Sequence, residues 1–256
     1  MVLNERGIIT YGGRNLADFG VYISGNGTFN APERDVKTVA IPGRNGDLTL
    51  DNGRFKNIKI KYPAFIVEDF FINTEALRNF LATFRGYARL EDSYHPYEYR
   101  MARISGAFTV KPEDKLRAGK FDLTFDCMPQ RWLKSGEVKL PTLVALGGGT
   151  SSTQVMNPTS QSAMPLLLCK PVDYMLININ NVQMKLTQAA THTIIDCELQ
   201  EAYSATTGAN HNSYLQLNDG VFPTLDAGLN TISITATGSG VMYTSSMTVT
   251  PRWWSL

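Results

Sequence analysis

Two rhythms of apolar residues run through the first half of the chain. Phe55, Ile60 and Tyr62 alternate with Lys59 and Lys61, and Phe121, Leu123, Phe125 and Cys127 alternate strictly with Asp122, Thr124 and Asp126. A period of two puts the apolar set on one face and the charges on the other, the pattern of a half-buried antiparallel strand. Between strand patterns at 99–110 and 120–127, the run 111–120 contains Lys111, Pro112, Lys115, Arg117 and Gly119 and predicts a hydrophilic hairpin tip. The second rhythm is helical. Leu77, Phe80, Leu81 and Phe84 fall at i, i+3, i+4 and i+7; Asn73 or Thr74 can cap the start, Glu75 and Arg85 occupy the first and last turns, and Gly86 follows. These signals predict one helix over 74–85, packed on a sheet.

The stretch Ile41-Pro42-Gly43-Arg44-Asn45-Gly46-Asp47 interrupts both rhythms. Its proline, two glycines and Asn-Gly pair predict a tight turn between strands. No Gly-Lys-Ser/Thr follows and no helix start is predicted behind it, which argues against a phosphate loop.

Past residue 134 the pattern changes. Short apolar runs at 165–169, 174–179, 182–186, 193–199, 214–217, 231–237 and 246–251 are separated by turn signals, with no helical period between them and with Pro158 and Pro165 bounding the first. Such spacing predicts a β-sandwich. Ser135-Gly136 and the Gly/Ser-rich run 147–152 read as a linker, so the expected division is a β-rich domain over 1–134, a linker over 135–152 and a sandwich over 153–256. Charge supports the division. The 256-residue chain carries 24 basic and 23 acidic residues, but 20 of the basic and 16 of the acidic ones lie in 1–134. The halves therefore carry +4 and −3, an asymmetry better explained by two domains than by one. Neither value demands a nucleic-acid or membrane partner, and no apolar run approaches the length of a bilayer span.

Candidate chemistry is sparse. Cys127, Cys169 and Cys197 are odd in number and form no CxxC pair, so they read as buried small hydrophobes in a protein made in a reducing cytosol. The first ten residues carry Glu5 and Arg6 in place of the apolar run of a secretion signal. His95, His192 and His211 match no metal or hydrolase motif, and the neighbouring carboxylates Glu68-Asp69, Glu91-Asp92 and Glu113-Asp114 would point to opposite faces of a strand. No catalytic residue, metal or cofactor is expected. Trp253, Trp254, Tyr203 and Tyr214 could stack on sugars, although large aromatics also close sandwich cores.

The ordered set of motifs resembles the distal tail protein (Dit) family of long-tailed, siphovirus-type bacteriophages. In the first half the resemblance rests on Phe19-Gly20-Val21, the Ile41–Asp47 turn, the 74–85 helix and the closing 121–132 segment; in the second it rests on Asn157 with Ala163-Met164-Pro165, Thr193-Ile194-Ile195-Asp196, Phe222-Pro223-Thr224-Leu225 with Gly228-Leu229-Asn230, and the terminal Pro251-Arg252-Trp253-Trp254. The resemblance implies a mainly β protein, with an N-terminal ring-forming domain and a galectin-like C-terminal β-sandwich. It implies a homo-hexameric hub at the virion tail tip, joining the tail tube protein to a tail-associated lysin or tip and fibre proteins. DNA would pass through the lumen only as cargo, and no fixed catalytic residues are implied. Within that frame, the expected ring or tail-layer interface comprises Pro42, Gly43, Arg44, Asn45, Gly46 and Asp47, with Lys111, Lys115 and Arg117 as the second candidate. The alternative is a carbohydrate-binding host-recognition module, in which the C-terminal sandwich makes a weak contact with cell-wall glycan.

Overall fold

The computed structural model describes residues 6–25, 29–113, 117–187, 191–237 and 244–256. The chain divides into two compact units, Met1–Arg131 with Leu256, and Trp132–Ser255. Both are built almost wholly of antiparallel strands.

The first unit contains β1 (Ile9–Tyr11), β2 (Arg14–Asn15), β3 (Val21–Ile23), β4 (Arg34–Val39), β5 (Leu48–Phe55), β6 (Ile58–Val67), helix α1 (Phe70–Ala82), β7 (Ala88–Asp92), β8 (Glu98–Ile104), β9 (Lys111–Glu113) and β10 (Ala118–Cys127). Its main sheet runs β2-β1-β7-β8-β10-β6-β3, with β9 added to β10. The long β6–β10 pairing matches Ile60 to Phe125 and Tyr62 to Leu123. This register brings both alternating apolar rows onto one face, where they are buried with Leu77 and Leu81 of α1. Period-two patterning and helix burial thus meet in a single core.

The helix differs from the sequence expectation of 74–85 by starting at Phe70 and ending at Ala82. Its start follows burial: Phe70 continues the Leu77–Leu81 stripe by two turns and is 8% exposed. Asp69 precedes it with φ of 37° and no side-chain cap, and Glu68 has φ of 62°, so two non-glycine residues adopt the left-handed region. Holding them there costs roughly 1–2 kcal/mol each, which the Phe70 contacts and a hydrogen bond from Asn73 Nδ2 to the Glu68 carbonyl (3.0 Å) offset. At the other end, the Phe84 ring packs 4.7 Å from Tyr11 and leaves the helical path. The Thr83 hydroxyl closes the last turn by donating to the Phe80 carbonyl at 2.7 Å.

The second unit is a sandwich of two five-stranded sheets. After β11 (Arg131–Leu133) come β12 (Leu143–Leu146), β13 (Thr150–Asn157), β14 (Leu166–Lys170), β15 (Tyr174–Ile179), β16 (Val182–Thr187), β17 (Thr193–Asp196), β18 (Glu201–Ser204), β19 (Leu215–Leu217), β20 (Gly228–Ala236), β21 (Thr244–Thr250) and β22 (Trp254–Ser255). One sheet is ordered β12-β21-β14-β17-β18 and the other β13-β20-β15-β16-β19. Inward-facing Leu167, Cys169, Met175, Ile177, Met184, Ile195, Ile232, Ile234, Met247 and Val249 fill the space between them.

The expected linker 135–152 is instead part of this unit. β12 pairs along β21, and β13 pairs with β20 over eight residues from Thr150 to Asn157. Gly147 and Gly148, both at positive φ, make the turn that carries the chain from one sheet to the other. The Gly149 amide anchors it by donating to the Leu146 carbonyl at 2.7 Å. The Gly/Ser composition therefore reflects a tight inter-sheet turn and a polar edge strand.

Candidate functional site

Strands β4 and β5 form a sheet of their own with no third strand among the described residues. Val39 pairs with Leu48, Thr38 with Thr49 and Lys37 with Leu50. Residues directly opposite share a face and alternate along each strand. One face of this arm therefore carries Val39, Leu48, Leu50 and Lys37, and the other carries Thr38 and Thr49. Val39, Leu48 and Leu50 are 37%, 38% and 47% exposed, an apolar face open to solvent. A lone two-stranded hairpin is marginal in water. Here cross-strand ion pairs brace the base of the arm: Arg34 Nη1 to Asp51 Oδ2 at 2.9 Å, Arg54 Nε to Asp35 Oδ2 at 2.7 Å, and Lys56 Nζ to Glu33 Oε1 at 3.3 Å. The Arg54 hydrogen bond is the main reason that the Asp35 carboxyl lies below its ordinary pKa.

The expected interface residues Pro42, Gly43, Arg44, Asn45, Gly46 and Asp47 all sit in the exposed tip of this arm. The Arg44 amide donates to the Ile41 carbonyl at 3.1 Å. Gly43 and Gly46 adopt φ of 80° and 82°, and a Cβ at either would meet nothing within 4 Å. The turn thus needs its glycines for backbone conformation, while its outer surface is free for a partner.

The second candidate group lies on a different sheet. Lys111 begins β9, which pairs with the start of β10 and is tied there by Lys120 Nζ to Glu113 Oε2 at 2.9 Å. Arg117 is exposed and lines a shallow recess together with Glu68, Asp69, Phe70, Phe71 and Ile72. Lys115 lies outside the described residues. Phe71 and Ile72, at 65% and 72% exposure, form an apolar patch that the sequence reading missed by starting the helix at residue 74. The available signal was Phe70, which sits one heptad before Leu77 and extends the buried stripe.

Other polar clusters are held by hydrogen bonds within their own units. Asp92 accepts from the Tyr62 hydroxyl at 2.7 Å and from the Tyr94 and His95 amides at 2.9 Å each, and contacts His95 Nδ1 at 3.0 Å. Burial, and secondarily the Asp92 charge, pushes the Tyr62 hydroxyl far above its ordinary pKa. His211 is buried against the Thr193 hydroxyl at 2.8 Å. No group of three or more His, Cys, Asp or Glu among the described residues could hold a metal ion. No helix among them is long and apolar enough to cross a membrane. Among the aromatics proposed to stack on sugar, Trp253 is buried in the sandwich core, and Trp254 is half-buried with its indole donating to the Ser162 carbonyl at 3.0 Å.

No protein-family model matches the chain. No curated protein sequence matches it. Solved structures do. The structure of phage P2's baseplate in its activated conformation with calcium contains a chain similar to this one at a TM-score of 0.52 and 8% identity, covering 91% of this chain and 98% of that one. The crystal structure of the SPP1 Dit protein, described as a paradigm of the hub adsorption apparatus in phages infecting Gram-positive bacteria, matches with a TM-score of 0.69 and 15% identity, covering 98% of this chain and 100% of that one. The fold of this chain, through both of its units, is therefore that of the SPP1 Dit protein.

Proposed function

We propose that the protein is the distal tail hub of a long-tailed phage, one protomer of a homo-hexameric ring at the virion tail tip. In this reading the ring joins the tail tube above to tail-associated lysin, tip or fibre proteins below, and its lumen passes DNA without reading it. The job is structural, not enzymatic. The observation that carries the proposal is the near-complete correspondence with the SPP1 Dit fold, since it includes both units and leaves almost nothing of either chain over. A fold alone does not assign a function. The arm adds a physical reason, because its solvent-exposed apolar face calls for cover by another chain. A closed ring repeats one heterologous contact, so each protomer needs two complementary side surfaces. The arm, tipped by Arg44 and Asp47, supplies one of them; the β9 side of the β9–β10 hairpin, with Lys111, faces the neighbouring tail layer. The carbohydrate-binding alternative gains nothing from these neighbours or from the two engaged tryptophans.

Negative-stain microscopy and light scattering of the purified chain test the proposal. Rings are expected from the wild-type chain, and combined Arg44→Glu and Asp47→Arg substitution is expected to lower the assembled fraction at least tenfold. Assembly unchanged by the double reversal would remove the arm tip from the interface, and a monomer at every concentration would overturn the hub.

A further inference from the structure

Two of the exposed apolar surfaces on the first unit are opposite in the balance of their charges. The apolar face of the arm, with Val39, Leu48 and Leu50, carries Lys37 on the same face and Arg44 and Asp47 at its tip. No ion pair among the described residues involves any of these three charges. The patch at the start of α1, with Phe71 and Ile72, is bordered by Glu68 and Asp69 and, across the recess, by Arg117. The arm thus offers two cations and one anion around an apolar centre, and the patch offers two anions and one cation around another. Glu68 and Asp69 are held at φ of 62° and 37°, which fixes the backbone bearing both carboxylates. Burying apolar area supplies the driving force in such a contact, and charge complementarity selects the partner and the register.

We propose that the patch at the start of α1 is the second side surface of the ring, and that it receives the apolar face of the arm from a second copy of this chain. The inference rests on the ring reading above and specifies which surfaces meet. The contact is heterologous: the arm of one protomer on the patch of the next, never arm on arm. Repeated around an axis, it consumes one arm and one patch per protomer and leaves none unpaired when the ring closes.

Directed disulfide formation tests the pairing with little background, because Cys127, Cys169 and Cys197 are all buried. Leu50→Cys and Ile72→Cys variants of the full chain are purified separately, mixed and oxidised. A covalent dimer is expected on non-reducing gels from the mixture but from neither variant alone. A chain carrying both substitutions is expected to give a ladder that stops at the number of protomers in the ring. Val39→Cys with Phe71→Cys repeats the experiment at adjacent positions; all four residues are exposed, so folding does not limit the result. Dimers from either single variant alone, or no link from either mixed pair, would overturn the proposal. The mass of the wild-type chain, measured in parallel, separates the two readings. Rings without a link refute this pairing and leave the hub standing, whereas monomers without a link refute both.

Discussion

Asp196 is an acid that the second unit buries to 3% exposure and still keeps charged. Burial alone would raise its pKa, but a bidentate pair with Arg252 (Nη1 to Oδ1 at 2.7 Å, Nη2 to Oδ2 at 2.9 Å) and the amides of Glu198 and Leu199 bring it below the ordinary value. A depressed carboxyl pKa contributes stability that is present above the unfolded value, near 4, and is lost as pH falls through the folded value. Arg252→Met removes the partner and leaves the carboxylate buried, so the variant is expected to lose on the order of 3 kcal/mol at pH 7. Below pH ~4 the unpaired acid takes up a proton and the deficit shrinks. Urea midpoints of the two proteins at pH 7 and pH 3 check both statements; a deficit independent of pH would show that lost packing, and not charge, is responsible. The terminal Pro251-Arg252 motif was visible in the sequence, but its role was not, because Asp196 lies 56 positions away and only the fold brings them together.

At the scale of elements, Gly20 shows how a short motif meets a long-range constraint. It follows a 3₁₀ turn over Leu16–Phe19, has φ of 65°, and a Cβ there would lie 2.3 Å from the Val67 carbonyl oxygen. Gly13 also has positive φ, at 83°, but a Cβ there would meet nothing within 4 Å. Gly13→Ala is therefore expected to cost about 1 kcal/mol, from backbone conformation alone, and Gly20→Ala about 2–3 kcal/mol because the clash is with backbone. Equal shifts in urea midpoint would mean that the approach to Val67 relaxes freely. Strands with strict alternation, such as β6 and β10, were legible because one-sided burial writes itself into every second residue. The helix was legible in its centre and displaced at its ends, where burial of Phe70 and the Phe84–Tyr11 contact outweigh capping and stop signals. Strand β13, with sequence Thr-Ser-Ser-Thr-Gln-Val-Met-Asn, was not legible: as the edge of its sheet it needs little apolar surface.

For the whole molecule, the two buried clusters share no residue, and each contains its own aromatic and aliphatic core. Each unit therefore has the means to fold by itself. A fragment spanning 132–256 is expected to melt in one cooperative transition with dispersed amide resonances; broad, non-cooperative melting would show that it depends on the first unit. Alternation, one helical stripe and the steep drop in charge past residue 134 sufficed to determine from sequence a mainly β protein with one helix and a sandwich in its second half, because each is a local or compositional signal. The Pro42–Asp47 turn was legible for the same reason, since proline, glycine and Asn-Gly impose backbone angles without help from distant residues. Only the tertiary structure decided that the strands flanking this turn stand apart from the main sheet with their apolar face uncovered, and that Phe71 and Ile72 emerge beside Glu68 and Asp69. Which strands find partners, and which apolar residues remain outside, depends on pairings between distant segments, and no local pattern encodes them.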